Sequence, residues 1–257
     1  MSDLKLFNIK SASVITKNTI DLMNIKKLIE KLSQQLLGVT LIATDFEINS
    51  SNNEYVDFLG YDENNQIVII EYRSGKYSPV ISKSLLYIDY LVRNPSHLKV
   101  VLNKELGYEL SSSIYLAPRL ISIGDDYNQY DEYAIKQTPY MIDLIKYQSF
   151  NSQFLVFEKT YQSKKIDALG SKVQQKKTLL GNLLSNFILS LGDEVCEVVT
   201  DNVYSYRKIS NFAAVVDYEE ELKIHISLRD KSKTITIKNQ KALEKAKNDI
   251  ENAYNLN

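Results

Sequence analysis

The chain has no tryptophan, one cysteine, two histidines, four prolines and eight glycines among its 257 residues. A lone Cys196 permits neither an internal disulfide nor a thiolate metal cluster, which excludes zinc-finger classes and agrees with a reducing compartment. His97 and His225 lie far apart in the chain, so histidine metal sites and Ser-His-Asp triads lack material. Any catalysis therefore falls to carboxylates. Too few glycines and prolines are present for a fibrous or low-complexity chain. No run approaches the ~20 apolar residues of a membrane span, and the first residues, MSDLKLFNIKSASV, carry charge among their apolar positions. The expectation is a soluble, cytoplasmic protein with no membrane partner. Charge of one sign is lacking too: 31 Lys+Arg against 32 Asp+Glu leave a net −1, so any polyanion contact must be a local patch.

What is present is an ordinary globular composition, 44% hydrophobic and 25% charged, at a length that suits two domains. Residues 18–37 carry Ile20, Met23, Ile25, Leu28, Ile29, Leu32, Leu36 and Leu37 at a period of three to four, an amphipathic helix that Gly38 stops. VTLIATDFEI, EYVDFLGYD and QIVIIEYRSG then read as three strands, the last two a hairpin turning at ENN. Ile67-Val68-Ile69-Ile70 is apolar without alternation, which marks a strand covered on both faces. Helices follow at 79–93, opened by Pro79 and ended by Asn94-Pro95, and at 96–105; SSSIYLAPRLISIG is a strand region, 127–137 a helix, and MIDLIKYQSF and QFLVFEKTY are strands.

This order predicts an α/β sandwich with a mixed sheet over residues 1–158. Residues 159–177 lose periodicity and hold six lysines (159, 164, 165, 172, 176 and 177) against one aspartate, a basic linker that solvates or tracks a DNA backbone. Residues 178–257, helix, five strand-like runs and helix, predict a small α+β domain.

The chemistry concentrates in residues 55–76, YVDFLGYDENNQIVIIEYRSGK. A hairpin brings Asp57 and Glu71 to one sheet edge, and two adjacent carboxylates can chelate a hard divalent ion. Taken alone, acidic residues at strand ends are better explained by solvation. Asp, a strand, then Glu-x-Arg resembles the Asp…Glu-x-Lys pattern of the PD-(D/E)xK nuclease superfamily. More narrowly, YVDFLGYDENNQIVIIEYRSGKYSPVISKSLLYIDYL, with PRLISI, YDEYAIKQ and IDLIKY further on, is similar to a cytoplasmic prokaryotic family of unknown function, over about residues 18–158. The C-terminal segment is similar to that family's small appended domain.

The resemblance implies a restriction-endonuclease-like α/β sandwich acting on DNA with Mg²⁺ or Mn²⁺. It gives the metal to Asp57, Glu71 and the Tyr72 carbonyl, assisted by Glu30 or else by Asp45 or Glu47. It implies homodimers as a frequent assembly, and the appended domain is expected to bind a protein or nucleic acid. Two positions depart from the pattern. Arg73 stands where the lysine belongs; its pKa above ~12 keeps it from acting as a base, although its fork can hold phosphate. Lys83 stands at a glutamine position on the following helix, and its ammonium is expected to replace the lost lysine. Arg73, Lys76 and Lys83 then form a phosphate-facing fringe. Glu30, among Lys26, Lys27 and Lys31, suits an exposed ion pair as well as a ligand role. A nuclease-like module that has lost catalysis and binds DNA or protein is the alternative, and a purely structural interaction module the third reading.

Overall fold

The computed structural model describes residues 4–49, 54–73, 80–163, 177–200, 203–228 and 231–257. Two compact units part near residue 166. The first opens with a ribbon that has no counterpart in the sequence pattern, β1 (Leu6–Asn8) against β2 (Ser13–Ile15). Three-residue strands with Phe7 and Val14 exposed leave no periodic signal. Next come the two-residue β3 (Lys17–Asn18) and helix α1 (Leu22–Leu37), which buries Ile25, Ile29 and Leu37; Gly38, at φ 65°, ends it in the left-handed region as expected.

Strands β4 (Val39–Asn49), β5 (Glu54–Asp62) and β6 (Gln66–Arg73) form an antiparallel set. The β5–β6 turn closes through Asn65 at φ 55° and through Asp62, whose Oδ1 accepts the backbone N–H groups of Asn64 and Gln66. Gly60 is needed where β4 crosses closely: a Cβ there would lie 2.6 Å from the Thr40 carbonyl oxygen.

Helices α2 (Val80–Arg93), α3 (Pro95–Leu106) and the short α4 (Tyr108–Ser113) connect β6 to β7 (Tyr115–Gly124). Pro79 lies outside the described residues. Pro95 both stops α2 and opens α3, its missing N–H costing nothing in a first turn. Ser111–Ser113, expected in the strand, are helical: the Ser112 and Ser113 hydroxyls turn back onto the carbonyls of Glu109 and Leu110 at 2.7 Å. Helix α5 (Gln129–Lys136) leads to β8 (Met141–Phe150) and β9 (Phe154–Gln162).

The sheet runs β3-β8-β7-β6-β5-β4, with β9 also on β8; β6, β7 and β8 are mutually parallel and the rest antiparallel. Parallel neighbours require crossovers, which α2–α4 and α5 provide. The unit is thus the expected α/β sandwich on a mixed sheet. Ile67 to Ile70 are all fully buried between β5 and β7. By strand alternation Ile67 and Ile69 share one face with the core of Tyr87, Ile88 and Leu91, while Val68 and Ile70 take the other. Lys26 of α1 reaches that second face, 5.5 Å from the Phe58 ring centroid.

The sequence places the end of the first domain at 158. Strand β9 instead continues through Lys159 to Gln162, paired to Asp143, so the first residues assigned to the linker are sheet. Lys164, Lys165, Lys172 and Lys176 lie outside the described residues. Helix α5 begins with a capping box: Asn128 accepts the Asp131 N–H, and the Asp131 side chain accepts the Asn128 N–H at 2.9 Å. Asn128→Ala is expected to cost about 1 kcal/mol, measured by urea unfolding.

The second unit is α+β, as expected. Helix α6 (Leu179–Leu189) is capped by Thr178, and a five-stranded antiparallel meander follows in sequence order: β10 (Cys196–Thr200), β11 (Val203–Arg207), β12 (Asn211–Asp217), β13 (Leu222–Leu228) and β14 (Lys231–Ile237). Helix α7 (Gln240–Leu256) closes it. Ile188, Tyr206, Phe212, Ile224 and Ile250 make its core. Among the described residues no helix is long and apolar enough to cross a membrane.

Candidate functional site

The β5–β6 register pairs Phe58 with Ile70 and Leu59 with Ile69, so its next step sets Asp57 opposite Glu71. The β4–β5 register pairs Thr44 with Phe58 and Phe46 with Val56, which sets Asp45 opposite Asp57. Three acidic residues therefore stand in one row across three neighbouring strands. At this row β5 and β6 exchange the ladder for side-chain bonds. The Asp57 N–H donates to Glu71 Oε1 at 3.0 Å, and the Tyr72 N–H donates to Asp57 Oδ2 at 3.0 Å. Each carboxylate thus satisfies a backbone donor of the other's strand, which ties the two acids together.

Glu71 is only 3% exposed. Burial, and then the charge of Asp57, push its carboxyl from an ordinary 4.5 up to about 8; the Asp57 N–H, Lys83 and Lys26 pull the other way. The Lys26 ammonium lies 2.7 Å from Asp45 Oδ1 and 3.1 Å from Asp57 Oδ1. Partial burial opposes its charge, yet the hydrogen bonds and charges of the two aspartates outweigh that and hold its pKa above the usual lysine value. Asp45 sits inside β4 with φ 47°, a left-handed conformation that aspartate tolerates better than most residues. Tyr87, buried on α2, donates its hydroxyl to Glu54 at 3.1 Å, and burial followed by the Glu71 charge raises its pKa.

The site residues expected from sequence divide. Asp57 and Glu71 come together. Lys83 is exposed on α2, its ammonium 5.3 Å from the Tyr87 ring centroid, and its charge reaches Glu71. Tyr72 alternates to the opposite face, its ring edge-on to Phe58 at 5.7 Å and its hydroxyl without a hydrogen-bond partner among the described residues. Glu30 is exposed on α1, and its charge reaches Tyr72 as do those of Asp57 and Glu71. Glu47 is exposed beyond Asp45.

Arg73 departs from expectation most. Its side chain is fully enclosed, bonded to Asp131 Oδ2 of α5 at 2.5 Å, with Tyr127 stacked 5.2 Å from its guanidinium. A guanidinium so enclosed is withdrawn from the phosphate-facing fringe the sequence assigned to it. Lys76, its expected neighbour there, lies outside the described residues. Of the basic linker, Lys159 donates to Gln162, and Lys177 to Ser185 and Glu197.

Sequence reading missed Lys26, Glu54, Tyr87 and Asp131. Only Asp131 had a local signal, its position three residues after the capping Asn128. His97 is exposed against Tyr90 and Phe46, His225 is exposed beside Thr234, and Cys196 is half-buried.

The donors suit a hard divalent cation. Two carboxylates bonded crosswise, one of them buried beside the charge of the other, present hard oxygen donors to such an ion. Among the described residues no three acidic, histidine or cysteine side chains form a ready-made cage. Mg²⁺ commonly takes one or two carboxylates and completes its shell with water and substrate.

No protein-family model matches the chain, nor does any curated protein. Two solved structures are similar to part of it. A repair endonuclease from Pyrococcus abyssi matches at 17% identity and TM-score 0.33, over 51% of this chain and 48% of that one. A structure of EndoMS with double-stranded DNA matches at 14% identity and TM-score 0.30, over 50% and 47%. This chain thus aligns with about half the length of each.

Proposed function

We propose that the first unit is a PD-(D/E)xK-type nuclease that hydrolyses DNA phosphodiester bonds with Mg²⁺ or Mn²⁺. The observation that carries this reading is the crosswise bonding of Asp57 and Glu71, with Glu71 buried and its carboxyl pushed up to about 8. Burying a second carboxylate against a first is costly, and such perturbed pairs cluster where a cation or a reaction is served.

In this reading Asp57 and Glu71 hold the ion, with the Tyr72 carbonyl assisting. When bound, such an ion polarises the phosphodiester and lowers the pKa of a coordinated water. Lys83, exposed beside the carboxylates, takes the phosphate-facing role that Arg73 leaves. Arg73 instead fastens the end of β6 to α5 through Asp131. Glu30, one helical turn from Lys26 on α1, remains the assisting acid of this reading, and Asp45 stands in the acidic row as a partner of Lys26.

The alternative, a nuclease-like module that binds DNA without cleaving it, draws on one observation: position 73 lacks lysine and its arginine is enclosed. One experiment separates the two. Supercoiled, linear and single-stranded DNA, and RNA, are incubated with the full chain in EDTA, Mg²⁺ or Mn²⁺. Cleavage is expected only with metal, lost in Asp57→Ala and reduced at least ten-fold in Lys83→Ala. Salt-sensitive DNA binding with no cleavage under either ion would establish the alternative instead.

A further inference from the structure

We propose that Lys26 is a tethered cation that occupies Asp57 in the metal-free protein and yields it to a divalent ion, withdrawing onto Asp45. The inference rests on the reading of Asp57 and Glu71 as the ion holders.

Both oxygens of Asp57 are engaged. Its Oδ2 is engaged by the Tyr72 N–H, a bond that belongs to the join between β5 and β6. Its Oδ1 is the oxygen turned to Lys26, at 3.1 Å. An ion ligated through Oδ1 meets the ammonium there, and one ligated through Oδ2 still lies within a few ångströms of it, so the two cations repel. A second acceptor already stands ready. Asp45 Oδ1 is nearer to Lys26, at 2.7 Å, and belongs to a side chain that is 68% exposed. Moving onto Asp45 alone requires only a small swing of a flexible four-carbon stem.

Asp45 reaches that position through the left-handed backbone at φ 47° inside a strand. Such conformations persist where surrounding structure requires them, often at functional sites. The tethered charge thus offsets the crowded carboxylates when no metal is present, and weakens the metal it must make room for.

Calorimetric titration of Mn²⁺ into the full chain tests this at one fixed pH. Lys26→Met is expected to bind Mn²⁺ about ten-fold more tightly than the unmodified protein, because a +1 charge a few ångströms from a +2 ion has been removed. Lys26→Arg, which keeps the charge, should stay near the unmodified value. Asp45→Asn should weaken binding more in the presence of Lys26 than in the Lys26→Met background, a coupling that a general loss of nearby charge would not produce. Lys26→Gln serves if the methionine variant does not fold, judged by thermal melting in EDTA.

If the unmodified protein binds Mn²⁺ and neither neutral variant binds it more tightly, the tethered-cation proposal is overturned while the Asp57–Glu71 reading stands. If no variant binds Mn²⁺, both fall.

Discussion

Glu71→Gln is expected to stabilise the metal-free protein at pH 8 by a few kcal/mol while abolishing its Mn²⁺ binding. The folded state raises the Glu71 carboxyl from an ordinary 4.5 up to about 8, through burial first and the charge of Asp57 second. Folding therefore favours the protonated acid. Its contribution to stability is fully present below about pH 4.5 and is lost as pH rises towards 8, where the buried group must ionise beside Asp57. Every tenfold gain in proton affinity on folding corresponds to about 1.4 kcal/mol, which sets the scale at a few kcal/mol for so enclosed a group. Glutamine keeps an oxygen to accept the Asp57 N–H, offers an amide N–H towards the Asp57 carboxylate, and carries no charge. Urea unfolding in EDTA at pH 5, 6.5 and 8 measures the effect. The unmodified protein should lose stability across this range, and the glutamine variant should lose much less. Parallel pH profiles for the two proteins would refute the assignment of that slope to Glu71. Mn²⁺ should raise the melting temperature of the unmodified protein and leave the variant unmoved, because the amide is a poor ligand for a hard ion.

Arg119→Ala is expected to cost on the order of 3–5 kcal/mol, the largest stability loss among single substitutions in the first unit outside its apolar core. Arg119, Asp62 and Asp143 are each about 2% exposed at the side chain. The guanidinium donates through Nε to Asp143 Oδ2 at 2.8 Å and through a terminal nitrogen to Asp62 Oδ2 at 3.3 Å. Asp62 also caps the β5–β6 turn, so one arginine joins that turn to β7 and β8. Its removal leaves two buried carboxylates facing each other without their cation, and that desolvation outweighs the lost contacts themselves. Arg119→Lys should recover only part of the loss, since a single ammonium cannot reproduce the forked geometry. A denaturation free energy for Arg119→Ala within about 1 kcal/mol of the unmodified protein would contradict this account. The folded fraction should still bind Mn²⁺ normally, because Asp62 lies at the turn end of β5 and Asp57 near its start.

Much of the molecule was legible along the chain. The stripe from Ile25 to Leu37 with Gly38 behind it, the unbroken Ile67–Ile70 run and the ENN turn are local or periodic signals, and they specify helix, central strand and hairpin wherever the chain folds. Fourteen residues from Asp57 to Glu71 across one hairpin were enough to bring two acids together, because an antiparallel register converts sequence distance into adjacency. The terminal α+β unit was readable for the same reason, since each strand of its meander is the sequence neighbour of the next.

Other features had no such signal. The β1–β2 ribbon is too short for any period, and the helical turn at Ser111–Ser113 formed because serine hydroxyls bonded back to carbonyls in a segment whose apolar continuation read as strand. The rest depends on which elements face each other. Glu30 and Lys26 share one helix, yet the Lys26 ammonium is bonded to Asp45 and Asp57 while Glu30 is exposed. Arg73 shares its strand face with Glu71, yet α5 offers Asp131 and the arginine is enclosed there. The sequence by itself determined the long helices and strands, their order and the Asp57–Glu71 pair, which follow from periodicity and from spacing within one or two strands. Only the tertiary structure decided which cations meet those acids, because long flexible side chains go where packing leaves an opposite charge within reach.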